Sequence, residues 1–141
     1  MFTLTFRYVN HSSHGLPLDM SPMNAAFDLR ADEQVTLAPG EQRAIETRIK
    51  LLCDSGESYI FKERSGLALN ASIEVHGGVI DPEYVRYVKV ILKNAGSEPF
   101  YINIGDRITQ VLRVNVIVTP MQQVADVLDN ERAGFGSSGI K

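Results

Sequence analysis

The chain has 141 residues, 44% of them hydrophobic and 22% charged, and a formal net charge of -3. This length suits one domain, and the composition is that of a folded chain, not a disordered one. The acidic balance argues against direct nucleic-acid binding through a broad basic face, although a local basic cluster could still hold a small anion. No apolar run approaches the roughly 20 residues of a membrane helix, so we expect a soluble, intracellular protein without membrane association.

Apolar and polar residues alternate with a period of two along most of the chain, which predicts half-buried strands. The first such segment is MFTLTFRYVN, and short strands are predicted around AAFDLRA, within QVTLAPGEQRAIETRIKLLC and in SYIFK. Longer strands follow in YVRYVKVILKN and RITQVLRVNVIVTP. In the last of these, Gln110 has the parity of Leu112 and Val114, so an unbroken strand would turn it toward the core, where its amide needs a partner.

The segments between these strands carry turn and loop residues. NHSSHGLPLDMSPMN is predicted to be a loop, in which His11 and His14 are better explained as solvated side chains than as metal ligands. Helix is predicted only for a short piece after Ser65 and, as a second candidate, for QQVADVL. Cys53 is the only cysteine, so no intrachain disulfide can form, and its apolar surroundings favour a buried thiol in a reducing compartment. An all-β barrel or two-sheet sandwich is therefore predicted.

Five sequence blocks occur in an order that points to one family. They are NAAFDLRA from Asn24, ERSGLAL from Glu63, GGVIDPEY from Gly77, GDRITQVL from Gly105 and GFGSSG from Gly134. In these blocks the chain resembles the trimeric dUTP pyrophosphatase (dUTPase) family. The resemblance implies a distorted jelly-roll, or β-clip, barrel with one short helix over residues 1–131, and a C-terminal lid over residues 132–141.

The resemblance also implies an activity. The family hydrolyses dUTP to dUMP and pyrophosphate by attack of water on the α-phosphate, with Mg²⁺ holding the triphosphate. This reaction limits uracil incorporation into DNA and supplies dUMP for thymidylate synthesis. Members form homotrimers with shared active sites, in which the tail of one subunit covers the site of a neighbour.

By the same resemblance, Asp81 is the carboxylate that activates water, and Tyr84 packs under the deoxyribose and leaves no room for a 2′-hydroxyl. Shielding of Asp81 by Val79 and Ile80 would make the carboxylate a better proton acceptor than an exposed one. Without the motif, Asp81 could equally be a turn residue before Pro82, and Tyr84 an aromatic residue of the barrel wall.

The remaining substrate contacts are likewise implied by the resemblance. The hairpin at Gly78, Val79 and Ile80, with strand atoms near Lys89, would read the uracil edge mainly through main-chain atoms.

Phosphate contacts would come from Arg64, Ser65, Gly66 and Gln110, and Asp28 would lie near the water shell of Mg²⁺. Three of these residues could instead have ordinary structural roles: Arg64 as a surface arginine, Ser65 as a helix N-cap, and Asp28 as a strand or turn carboxylate.

In the lid, Phe135 would stack on uracil while Arg132, Gly136, Ser137 and Ser138 close over the γ-phosphate. Taken alone, such a Gly- and Ser-rich tail is explained at least as well by a frayed terminus.

Three departures from the usual pattern of the family occur. Glu63 replaces a proline before the Arg-Ser-Gly triplet, and a carboxylate facing the site would repel phosphate. Val85 and Arg86 replace an Arg-Gly pair, so a Cβ atom occupies a position that normally has none. Arg132 lies only three residues before Phe135, which is two fewer than usual.

These departures keep other functions under consideration. One is a catalytically weakened nucleotide-binding or regulatory protein with the same fold. Another is a dCTP deaminase, which would need a glutamate that the hairpin motif does not convincingly supply. A purely structural jelly-roll protein would leave the five blocks unexplained.

Overall fold

A computed structural model describes residues 7–13, 25–53, 56–117 and 119–128. Within these ranges the chain forms strands and a single short helix, which confirms the predicted all-β class and the helix after Ser65. The elements are β1 Arg7–Asn10, β2 Phe27–Arg30, β3 Val35–Leu37, β4 Gln42–Glu46, β5 Ile49–Leu52, β6 Glu57–Lys62, α1 Ser65–Ala71, β7 Ile73–His76, β8 Val79–Ile80, β9 Lys89–Asn94, β10 Phe100–Ile102 and β11 Arg107–Asn115.

The strands pair into four small antiparallel sheets. The largest has the order β2-β11-β6-β8, and the others are β4-β9-β7, β1-β5 and β10-β3. Neighbours in the sheets are often distant in sequence: β11 pairs with both β2 and β6. Residues from the beginning, middle and end of the chain therefore meet in one sheet.

The core lies between these sheets and consists mainly of aliphatic side chains. Val88, directly before β9, and Val90 and Leu92 on β9 are fully buried while Lys89 is exposed, as the alternation predicts. On β2, Phe27 and Leu29 are buried. Other members of the core are Ala31, Val35, Leu37, Ile45, Ile49, Leu51, Tyr59, Phe61, Ile73, Ile102, Ile108 and Val111.

The prediction that Gln110 faces the core is wrong, because β11 is not regular. Its register against β2 shifts between Arg107 and Thr109, as at a β-bulge, so the parity of the strand changes there. Val111 is the buried residue after the bulge, and Gln110 is only half-buried. The amide still has the partner it was expected to need, since Nε2 donates to the carbonyl oxygen of Glu63 at 2.7 Å.

Two other predictions are corrected. QQVADVL is not helical: residues 122–128 are exposed and have no regular secondary structure. An isolated helix of seven residues is unstable without an apolar face to pack against the protein. Cys53 is half-buried, not buried, and packs against the edge of the core. Among the described residues, no helix has the length and apolarity to span a membrane.

A fully buried asparagine, which has the same parity on β9 as Val90 and Leu92, joins several loops. The amide nitrogen of Asn94 donates to the carbonyls of Leu37 at 3.0 Å and Glu98 at 2.8 Å, and its amide oxygen accepts from the N–H of Gly96 at 2.9 Å. Such a satisfied buried amide fixes the connection between β9 and β10.

Candidate functional site

Five of the residues predicted to bind phosphate or the metal ion line one open cleft. Its volume is about 270 Å³. The lining consists of Asp28, Arg64, Ser65, Gly66 and Gln110, together with Ala25 and Ala26. These residues come from β2, the connection between β6 and α1, the first turn of α1, and β11.

Strand register brings these distant parts of the sequence together. Gln110 on β11 lies opposite Asp28 on one side and Lys62 on the other. Because Lys62 is the last residue of β6, the chain that leaves this strand passes the same end of the sheet before α1 begins at Ser65. The sequence blocks that contain Asp28, Ser65 and Gln110 are thus neighbours in the fold.

The charged side chains in and beside the cleft form ion pairs. The Asp28 carboxylate lies 3.3 Å from Nε of Arg64 and 3.6 Å from a terminal nitrogen of Arg107. Two guanidinium groups therefore share one half-buried carboxylate. Arg64 lines the cleft with Asp28, whereas Arg107 pairs with Asp28 from outside the lining. Together the three side chains carry one net positive charge, which favours an anionic ligand.

The first turn of α1 faces this cleft. Its N-cap residue is Arg64 in an extended conformation (φ -76, ψ 134), without a side-chain capping bond. Ser65 is the first helical residue, so the alternative that made it the N-cap is wrong. A Cβ atom added to Gly66 would meet no atom within 4 Å, which shows that the space beside its backbone is open.

Glu63 is directed toward β7, and it is not among the residues that line the cleft. Its Oε1 accepts from the N–H of Val75 at 2.9 Å. This backbone hydrogen bond holds the pKa of the Glu63 carboxyl below its ordinary value, with a smaller contribution from Lys62. The carboxylate links the β6–α1 connection to β7, and the repulsion of phosphate considered from the sequence does not arise in this arrangement.

The hairpin around Gly78 packs against the central strand β6. The N–H of Phe61 donates to the Gly78 carbonyl at 2.7 Å, and a Cβ atom at residue 78 would lie 2.4 Å from the Phe61 carbonyl oxygen. The hydroxyl of Ser58 donates to the carbonyl of Ile80. Glycine at position 78 is thus required by close packing against β6, a requirement that the sequence pattern did not reveal.

Asp81 is exposed at the end of β8, and the shielding expected from its neighbours is not provided within this chain. Val79 is 69% exposed and Ile80 is half-buried. Tyr84 follows in a turn in which its N–H donates to the carbonyl of Asp81 at 3.1 Å. Its hydroxyl donates to the carbonyl of Tyr87 at 3.0 Å, and the residue is 39% exposed.

The Arg86 departure introduces no left-handed strain. Among the described non-glycine residues, positive φ angles occur only at Arg48 and Ser72. Arg86 therefore adopts a backbone conformation that any L-residue tolerates, and the added Cβ is accommodated.

The cleft and the hairpin are separate within one chain. On β6, Lys62 is opposite Gln110 of β11, whereas Tyr59, three residues earlier, is opposite Ile80 of β8. With strands about 4.8 Å apart and a rise of about 3.3 Å per residue, Asp81 lies roughly 15 to 20 Å from Gln110 and Asp28. A single chain therefore does not bring the predicted base to the predicted metal-binding carboxylate.

Lys89 lies outside the cleft. Its ammonium group is 4.0 Å from Oε2 of Glu46, and its side chain is exposed on β9. The predicted lid residues Arg132, Phe135, Gly136, Ser137 and Ser138 lie outside the residues that the structure describes.

The donor groups of the cleft suit a metal ion that arrives with a ligand. The described ranges contain no cluster of three or more His, Cys, Asp or Glu side chains able to hold a metal ion. Asp28 supplies one half-buried carboxylate. Mg²⁺ keeps several waters and is commonly bound through one or two carboxylates and substrate phosphates, so this donor set is compatible with it.

Comparisons with known proteins agree with this geometry. The dUTPase family model matches residues 13–139. The chain is 40% identical over 119 residues to the deoxyuridine 5′-triphosphate nucleotidohydrolase of Anaeromyxobacter sp., covering 82% of this chain and 81% of that protein. It is 36% identical over 138 residues to the mouse protein of the same name, covering 96% and 85%.

Solved structures show the same fold. A mutant dUTPase of Staphylococcus bacteriophage 80alpha with dUpNHpp matches with a TM-score of 0.89 at 22% identity, covering 98% of this chain and all of that one. A mutant dUTPase of phage phi11 of S. aureus, described with a structural Mg(II) ion, matches with a TM-score of 0.82 at 19% identity, covering 89% and 100%. Together with the family model and the sequence relatives, these matches show that the chain belongs to the dUTPase family.

Proposed function

We propose that this protein hydrolyses dUTP to dUMP and pyrophosphate, which limits uracil incorporation into DNA and supplies dUMP for thymidylate synthesis. The observation that carries the proposal is the cleft of Asp28, Arg64, Ser65, Gly66 and Gln110 in a chain of this family. The net positive charge of Asp28, Arg64 and the adjoining Arg107 suits a triphosphate.

The cleft residues position the phosphates. Ser65 offers a hydroxyl, Gly66 a backbone that a phosphate can approach closely, and Gln110 an amide on the adjoining strand. Arg64 exchanges part of its ion pair with Asp28 for phosphate oxygens when the nucleotide binds. That exchange leaves the Asp28 carboxylate available to the cation that accompanies the nucleotide.

Asp28 would bind Mg²⁺ through water. When bound, the ion neutralises triphosphate charge and orients the phosphates. Half-burial of Asp28 beside β11 fixes the position of its carboxylate, and the phage phi11 relative is described with Mg(II).

Asp81 accepts a proton from the attacking water. The water oxygen forms a bond to the α-phosphorus, the bond from that phosphorus to the bridging oxygen of the β-phosphate breaks, and pyrophosphate leaves with the electron pair. A carboxylate is ionised at neutral pH and can take this proton once the site is closed from solvent.

Tyr84 and the hairpin select the nucleotide. The ring of Tyr84 packs under the deoxyribose, so a ribose hydroxyl clashes or is buried without a partner. Main-chain atoms at Gly78, Val79 and Ile80, with strand atoms near Lys89, pair with the uracil edge.

The active assembly is a homotrimer with sites shared between subunits. The 15 to 20 Å separation of Asp81 from the cleft supports this arrangement, because a neighbouring subunit can supply the missing half of each site. The segment after β11 also exposes apolar side chains: Ile117 is 88% exposed, Met121 101% and Leu128 97%. Apolar surface of this kind is typical of a contact between chains.

The tail completes the site. Phe135 stacks on uracil, while Arg132, Gly136, Ser137 and Ser138 cover the γ-phosphate of a neighbouring subunit's nucleotide. Closure excludes water other than the nucleophile.

Pyrophosphate release from dUTP, dCTP, dTTP and UTP, with and without Mg²⁺, tests this proposal. We expect dUTP to be turned over far faster than the others, and a chain ending after Asn130 to lose most of this activity. Equal turnover of the four nucleotides would refute it. Tight dUTP binding without turnover would support the weakened nucleotide-binding alternative, and ammonia release from dCTP would support a deaminase.

A further inference from the structure

Tyr87 lies three residues beyond Tyr84, and its ring is surrounded by polar groups from other parts of the chain. A 2.6 Å hydrogen bond joins its hydroxyl to Nδ1 of His11, and the two rings meet edge to face at 5.8 Å. The guanidinium carbon of Arg48 lies 5.4 Å from the ring centroid and the ammonium nitrogen of Lys50 lies 5.2 Å from it. Two cations and one hydrogen bond thus restrain a single half-buried ring.

The backbone beside this ring is also anchored. The N–H of Val88 donates to the carbonyl of Ile49 at 2.8 Å, and the hydroxyl of Thr47 donates to the carbonyl of Val88 at 2.7 Å. Thr47 lies in the connection between β4 and β5, and Ile49 is the first residue of β5. The peptide after Tyr87 therefore has little freedom to move.

Arg48 adopts a backbone conformation that glycine would adopt more easily. Its φ angle is 55°, in the left-handed region, which costs free energy for a residue with a Cβ atom. The conformation is held by its N–H, which donates to Glu46 at 2.9 Å, and by its carbonyl, which accepts from the N–H of His11 at 2.9 Å. From this position the Arg48 side chain donates from Nε to the His11 carbonyl at 3.0 Å, which holds its guanidinium group near the Tyr87 ring.

The restrained carbonyl of Tyr87 accepts the hydroxyl of Tyr84 at 3.0 Å. We infer that Tyr87, held by His11, Arg48 and Lys50, is a positioning residue that fixes the ring of Tyr84 against the sugar. This inference rests on the proposed function, because it assigns to Tyr87 the geometry of sugar discrimination. Tyr87 itself does not need to touch the nucleotide.

The physical reason is that rejection of a 2′-hydroxyl depends on a ring that cannot move aside. A mobile Tyr84 would rotate and admit the ribose, so the preference for dUTP over UTP would fall while the phosphate-binding cleft stayed intact. The phenol hydroxyl of Tyr84, bonded to an anchored carbonyl, opposes that rotation.

Three variants test the inference through the ratio of kcat/KM for dUTP to that for UTP. Tyr87→Ala removes the restrained ring, and we expect the ratio to fall at least about fivefold, through faster UTP turnover, with kcat for dUTP changed less. Tyr87→Phe keeps the ring beside both cations and should retain most of the preference. Tyr101→Ala, at a 67% exposed tyrosine on β10, is the matched control and should leave the ratio unchanged.

Arg48→Gly removes one cation, together with its Nε hydrogen bond to the His11 carbonyl and its ion pair with Asp32, at a position whose backbone suits glycine. The chain should fold and the ratio should fall. An unchanged ratio in folded Tyr87→Ala would overturn the inference. So would an equal loss of dUTP and UTP turnover, because a merely structural role would produce it.

A measurement without nucleotide separates this inference from the proposed function. The chain has five tyrosines, so ring ¹³C labelling gives a simple spectrum, and Tyr84→Phe identifies the Tyr84 signal by its loss. In Tyr87→Ala the Tyr84 signal should shift and its ring should flip faster. If the wild type failed to hydrolyse dUTP, the proposed function would fall alone; an unchanged Tyr84 signal would overturn the positioning role.

Discussion

Gly78→Ala tests whether the hairpin that carries Asp81 depends on close contact with β6. The added Cβ would lie 2.4 Å from the Phe61 carbonyl oxygen, whereas ordinary contacts begin near 3.4 Å. Phe61 is 3% exposed and pairs with Val111 on β11, so its carbonyl has no room to retreat. The hairpin must therefore move away by about 1 Å.

The cost can be estimated from two contributions. Overpacking of this kind costs about 1 to 3 kcal/mol, and the hydrogen bond from Phe61 to Gly78 contributes about 0.5 to 1.5 kcal/mol more when it is broken. We expect a loss of about 2 to 4 kcal/mol in the free energy of unfolding. Because Asp81 is three residues away, a shift of about 1 Å should also lower kcat/KM for dUTP by up to about a hundredfold.

Urea unfolding at a fixed protein concentration and dUTP turnover measure the two effects. Gly66→Ala is the control for stability, since its Cβ would meet nothing within 4 Å and lies in a helix, where alanine adds about 0.5 to 1 kcal/mol. A Gly78→Ala protein with wild-type unfolding and wild-type kcat/KM would refute the packing argument.

Three further predictions concern individual side chains. Asp28→Asn keeps the shape of the cleft but removes its carboxylate charge, so the Mg²⁺ concentration for half-maximal activity should rise about tenfold; an unchanged Mg²⁺ titration would contradict this. Asn94→Ala leaves three backbone groups without their partner, one of them in a buried hydrogen bond and two in part-buried ones. It should cost about 2 to 4 kcal/mol in urea unfolding, and a loss below 1 kcal/mol would show that the loops do not depend on it. Glu63→Gln removes a carboxylate whose pKa is lowered in the folded state. The wild type should therefore be more stable than the variant above the ordinary carboxyl pKa of about 4.3, and this difference in stability should shrink as pH falls through the lowered pKa. A stability difference that is independent of pH would exclude the charge as its cause.

Alternation in the sequence predicted the elements whose burial is regular. Val90 and Leu92 are buried on one face of β9 because side chains of an extended strand alternate without interruption. The same rule was wrong for Gln110, because a bulge between Arg107 and Thr109 changes which residues of β11 face the core. The sequence around this bulge contains no residue pattern that predicts it.

Tertiary partners account for what could not be predicted at the site. The direction of Glu63 depends on the N–H of Val75 in another strand, and the need for glycine at position 78 depends on the Phe61 carbonyl. Neither partner is adjacent in sequence. Val79 is likewise exposed on the surface of the single chain. The prediction that it shields Asp81 was based only on their being close in sequence.

The most direct test of the proposed mechanism compares pyrophosphate release from dUTP by Asp81→Asn and by Glu83→Gln. Both changes remove one exposed carboxylate from the same turn, but only Asp81 is assigned the proton from water. We predict that Asp81→Asn lowers kcat by about 10²- to 10⁴-fold while Glu83→Gln remains near the wild type. Full activity in a folded Asp81→Asn protein, or an equal loss in both variants, would contradict the account.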